Sequence, residues 1–76
     1  MTIGPGYGVI TSAQLAKLTG VSLSTIHYYT ALGLLRPRGR AGNRRLYLTY
    51  EARNRLKRIA QLRRKGYSLA LIRREM

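Results

Sequence analysis

The sequence predicts a mostly α-helical domain with a short antiparallel β-hairpin or small sheet, and three observations carry that prediction. Four stretches show a helix-start signal followed by apolar residues at helical spacing. One stretch, RPRGRAGNRR at residues 36–45, excludes a regular helix because it holds Pro37, Gly39, Gly42 and Asn43. The chain has 76 residues, below the roughly 100–150 typical of a domain, so the elements must share one small core.

Residues 1–6 (MTIGPG) read as a flexible lead-in, since Gly4, Pro5 and Gly6 favour neither helix nor strand. The domain proper is expected over residues 7–76, opening with a short strand at residues 7–10. At Thr11 the helix signals stack. Thr11 and Gln14 have capping-box spacing, and Ile10 and Leu15 stand as a hydrophobic staple. The first helix presents Leu15 and Leu18 on one face and stops at Gly20. Ser22 caps the next helix almost at once, with Val21 and Ile26 repeating the staple. That second helix runs over about 23–32, carries Ile26, Tyr29 and Leu32 on its stripe, and stops at Gly33.

Helix, tight Gly-containing turn, helix is the order of a helix-turn-helix. The arginine-rich stretch then leads into Leu46-Tyr47-Leu48, which suits a strand, so residues 36–48 form a hairpin with an arginine-studded tip. Thr49 is expected to cap a third helix with Glu51 in its first turn and Leu56, Ile59 and Leu62 as its buried stripe. Arg63, Arg64 and Lys65 complement its negative end before Gly66. Ser68 starts a fourth helix, with Tyr67 and Ile72 stapled.

Charge narrows the function. Lys+Arg 15 against Asp+Glu 2 gives a net charge of +13, a self-repulsion best offset by an anionic partner, nucleic acid first. The charge is lopsided: up to Leu35 only Lys17 is charged, while from Arg36 onward 14 bases meet the two acids, or +1 against +12. Hydrophobic residues at 45% are too many for a disordered basic tail, and no apolar run approaches the roughly 18 residues of a membrane span. There is no cysteine, hence no disulfide framework or thiolate metal site. Residues 1–8 lack the basic-then-apolar pattern of a secretory signal. These features set the expectation of a cytoplasmic protein. One His and two Glu cannot supply a nucleophile, a base and an orienting group, so no enzyme, metal or cofactor is expected.

The exposed face of the second helix offers Ser24, Thr25, His27 and Tyr28, groups able to bond base edges or phosphates. Tyr29 belongs to the core stripe, and Ser22 is a cap rather than a contact. Arg36, Arg38, Arg40, Arg44 and Arg45 flank the Gly-rich turn with no acid among them, and their guanidinium forks suit a phosphate backbone or a narrow minor groove.

The segments ITSAQLAKLTGVS at 10–22 and TIHYYTALGLL at 25–35, together with GYSL at 66–69, resemble the DNA-binding domain of the MerR family of transcriptional regulators. The resemblance covers roughly residues 7–76. The chain departs from the family where His27 replaces a more usual Arg, Thr30 an acid and Arg53 an aliphatic residue. The resemblance implies that the fold is a winged helix-turn-helix and the hairpin a wing, with Arg44 or Arg45 and then Tyr47 nearest the DNA backbone. It implies a second wing from the third and fourth helices, with Tyr50, Arg53 and Arg55 near the phosphates. It also implies a regulator that dimerises as a full-length protein; the 76-residue chain alone is expected to be monomeric.

Two rival readings share these features: a small phage or mobile-element protein of the excisionase type that bends DNA, and a structural RNA-binding protein. The latter fits poorly, because the deep, narrow major groove of RNA does not admit a helix.

Overall fold

A computed structural model describes residues 8–76; the expected lead-in at residues 1–6, and Tyr7, lie outside the described residues. The element order is β1 (Val9–Thr11), α1 (Ser12–Thr19), α2 (Leu23–Ala31), β2 (Gly39–Ala41), β3 (Arg44–Leu48), α3 (Thr49–Arg64) and α4 (Leu69–Glu75). This is the winged helix-turn-helix that the sequence predicts, four helices and a small antiparallel sheet.

Local chemistry accounts for the helix-turn-helix. Thr11 accepts from the Gln14 backbone N–H while the Gln14 side chain accepts from the Thr11 N–H, completing the capping box. Gly20, at φ 77°, takes the left-handed conformation that ends α1, and its N–H donates to the Ala16 carbonyl at 2.9 Å. Three residues, 20–22, then suffice before α2, whose first turn is capped by the Ser22 hydroxyl accepting from the Thr25 N–H.

The sheet has strand order β1-β3-β2, with both pairings antiparallel. Gly42 and Asn43 form the two-residue hairpin loop, and of the two only Gly42 takes a positive φ, 62°, as the first position of a II′ turn requires. Val9 pairs with Leu48 and Ile10 with Tyr47, so the first strand starts two residues later than expected and closes on the far side of the wing.

Two adjoining clusters make the core. Leu15, Ile26, Leu35, Tyr47, Ala52 and Leu56 join the helix-turn-helix to the sheet and to α3. Leu34, Ile59, Leu62 and Ile72 join α3 to α4. Consecutive Leu34 and Leu35 thus lock one loop into both clusters. Ser68 caps α4 as predicted, accepting from the Leu71 N–H at 3.1 Å.

Two local expectations need correction. Thr49 does not cap α3: the N-cap position is Leu48 with no side-chain cap bond, and Thr49 is buried, its N–H donating to the Gly8 carbonyl. Thr49 is already the first residue of α3, one position past the cap. Leu18, expected beside Leu15 in the core, is 41% exposed; α1 is only eight residues long, and it buries Leu15 fully with Ala16 packed partly beside it.

Candidate nucleic-acid interface

α2 presents an exposed edge built from Ser24, His27 and Tyr28, with Thr25 half-buried beside them. The Thr25 hydroxyl accepts from Ser22 Oγ at 2.8 Å, which leaves its own hydrogen for an outside acceptor. Tyr28 is 54% exposed and lies tilted against Tyr29, with ring centroids 6.3 Å apart.

The wing closes over the other side of this edge. Leu23 and His27 of α2, Ser12 at the start of α1, and Arg40, Arg44 and Arg45 of the hairpin line one cleft of about 490 Å³. Arg40 and Arg45 are direct cross-strand partners. Like charges directly opposed on a sheet repel, and no acidic residue lines the cleft to relieve them. Nothing local in the sequence marks Ser12 or Leu23 as parts of this cleft; only the packing of α1 and α2 beside the hairpin brings them there.

The other sequence-predicted residues have four different fates. Tyr50, 64% exposed, and Arg53 line a second groove between α1 and α3 with Leu18 and Lys57. Lys57 does not stand out among the many cations of α3, although its position four residues after Arg53 places it on the same helix face. Arg36 is exposed.

Arg38 and Arg55, by contrast, hold the fold together. Arg38 donates through Nε (3.1 Å) and Nη2 (2.8 Å) to the two carboxylate oxygens of Glu51, a bidentate pair fastening the base of the wing to the first turn of α3. This hydrogen bonding holds the Glu51 carboxyl below its usual range, with the Arg55 and Arg36 charges adding and partial burial opposing; the same bond raises Arg38. Arg55 Nε donates to the Leu34 carbonyl at 2.6 Å, fixing the loop after α2 onto α3.

Tyr47 corrects the expectation of a backbone contact. It is 1% exposed, packed in the first core cluster, with its hydroxyl 2.8 Å from Thr30 Oγ1. Strand alternation turns Tyr47 inward with its partner Ile10, and a side chain so enclosed cannot reach a phosphate.

Among the described residues, no group of three or more His, Cys, Asp or Glu side chains is placed to hold a metal ion. No described helix is long and apolar enough to cross a membrane.

A helix-turn-helix backed by a small sheet, with a cationic hairpin beside its second helix, defines the winged helix-turn-helix class. Within that class the chain belongs to the family described as MerR HTH family regulatory protein, whose family model matches residues 10–76. Curated relatives include the HTH-type transcriptional regulator SkgA of two Caulobacter vibrioides strains, NA1000 / CB15N and ATCC 19089 / CIP 103742 / CB 15. Each is 49% identical over 35 residues, covering 46% of this chain and 14% of the relative. No solved structure matches the chain.

Proposed function

We propose that this domain binds double-stranded DNA and serves as the DNA-reading part of a cytoplasmic transcriptional regulator. α2 enters the major groove, where Ser24, Thr25, His27 and Tyr28 meet base edges and nearby phosphates. Arg40, Arg44 and Arg45 of the hairpin hold the flanking backbone with Arg36, and Tyr50 and Arg53 hold it on the α3 side. Phosphate contacts then set position and base contacts set specificity. The domain does no chemistry on the DNA and needs no cofactor for this task. The full regulator acts as a homodimer, and the isolated domain is a monomer.

One observation carries the reading: the Arg40–Arg45 cross-strand pair and His27 line a single cleft that has no acid. The arrangement opposes two cations in the free protein, and an anion threaded between the wing and α2 relieves it. The family relationship supports the same reading, as does the name of the SkgA relatives, HTH-type transcriptional regulators.

The test is a titration of the chain with a duplex recovered by selection from a random pool and with a random duplex of equal length, at several salt concentrations. Binding whose affinity falls steeply with salt on both, and is tighter on the selected one, is the expected outcome. Salt-independent binding, or none, rejects the proposal.

A further inference from the structure

A directed chain of hydrogen bonds crosses three elements of the domain. Thr30 Oγ1 donates to the Ile26 carbonyl within α2 at 2.8 Å. A hydroxyl has a single hydrogen, so Thr30 Oγ1 is the acceptor in its 2.8 Å contact with Tyr47, and the phenol of β3 is the donor. Ser12 Oγ, from the first residue of α1, donates in turn to the Tyr47 oxygen at 3.5 Å. The chain therefore runs from α1 through β3 into α2, each oxygen committed in one sense. Such chains strengthen their members when buried.

Its two ends lie beside the interface. Ile26, the terminal acceptor, immediately precedes His27, and Ser12 lines the cleft opposite His27. Tyr47 stands two residues beyond Arg45 on the same strand, so the two side chains share one face of the sheet, Arg45 lining the cleft and Tyr47 packed in the core behind it. The ring is held by Leu15, Ile26 and Leu35, leaving the hydroxyl little freedom to seek another partner. Among the described residues, no buried side-chain polar atom lacks a hydrogen-bond partner, so the link is a satisfied one.

We propose that Tyr47 is a positioning residue: through Thr30 its hydroxyl fixes the wing strand against the recognition helix and so sets how selectively His27 and Tyr28 read bases. The inference rests on the DNA-binding reading above. Wing arginines and the α2 edge must meet one duplex together, and a sub-ångström slip between β3 and α2 trades base contacts for backbone ones. Phosphates tolerate such a slip; base edges do not, because their bonds depend on distance and angle.

Tyr47→Phe isolates the link. It removes one oxygen, keeps the packed ring, and leaves the Thr30 bond to Ile26 in place. Affinity is measured on the selected and random duplexes defined above. The ratio between them is expected to fall about three- to tenfold, the effect of removing one intramolecular hydrogen bond, with affinity and salt slope on the random duplex unchanged. Thr30→Val is expected to cause the same fall, the double variant no further fall, and Thr30→Ser none. Melting curves set the assay temperature below every transition, and a variant unfolded there is replaced by its partner, since either substitution cuts the link. An unchanged ratio in the single variants, or an equal loss on both duplexes, overturns the positioning role. Failure of the wild-type chain to bind either duplex overturns the DNA-binding reading instead.

Discussion

Arg40 and Arg45 face each other across β2 and β3 and line the cleft that holds His27, two guanidinium groups in register with no acid between them. Removing either charge therefore has opposite consequences for the free domain and for the complex.

Arg40→Ala and Arg45→Ala are each expected to weaken binding to all duplexes about equally, lowering the log-log salt slope by about 0.9 for each phosphate that is no longer neutralised. The free protein should melt slightly higher at low salt, because the repulsion across the strands is relieved. Salt titrations and thermal melts check both halves. A slope identical to wild type in the double variant would mean that these side chains face only water.

The α2 edge is expected to behave differently. His27→Ala or Tyr28→Ala costs about 1–3 kcal/mol on the selected duplex and much less on a random one if the contact is to a base. Both residues are exposed, so the melting temperature should hold. A uniform loss on the two substrates reassigns the residue to the backbone.

Glu51 gives a pH prediction with a definite sign. Its carboxyl titrates lower in the folded protein than in the unfolded chain because Arg38 bonds the ionised form. The stabilisation is therefore fully present above the unfolded value, about 4.3, and is lost as pH falls through the lower folded value. Glu51→Gln should flatten the acid limb of stability against pH below about 4.3. It should also tighten binding to random duplexes at neutral pH by releasing Arg38. Acid titration of the melting temperature and a single neutral titration decide these points; an acid limb unchanged by the substitution would dismiss the ion pair as a stabilising contact.

A lone module buries only about 600–1,000 Å² against DNA, so the isolated domain should sediment as a monomer and discriminate modestly between sequences. Fusing a dimerising helix after Met76 should tighten binding to palindromic sites with half-sites about 34–36 Å apart, by a factor that can reach about 100 through effective concentration. Sedimentation of the free chain, with titrations on one and two half-sites, measures this. A stable dimer in the absence of DNA contradicts it.

The helix-turn-helix is legible in the sequence because its signals are local. A capping box spans four residues, a helix stop needs one glycine, and a stripe such as Leu56, Ile59 and Leu62 repeats within one helix. The charge imbalance is equally plain, since it requires only counting. The fates of the individual site residues are not local. Tyr47 and Arg45 are both polar residues of one strand, yet one is sealed in the core and the other lines a cleft; β1 pairs alongside the first and ends before the second. Arg38 and Arg55 look like Arg40 and Arg44 in sequence. They are tied to the protein itself because Glu51 and the Leu34 carbonyl, 13 and 21 residues away along the chain, fold up against them. Sequence determined which elements form and where positive charge collects, because propensity and composition act at short range. Only tertiary structure decided which cations stay free for a partner, because that depends on which acceptors distant segments carry to them.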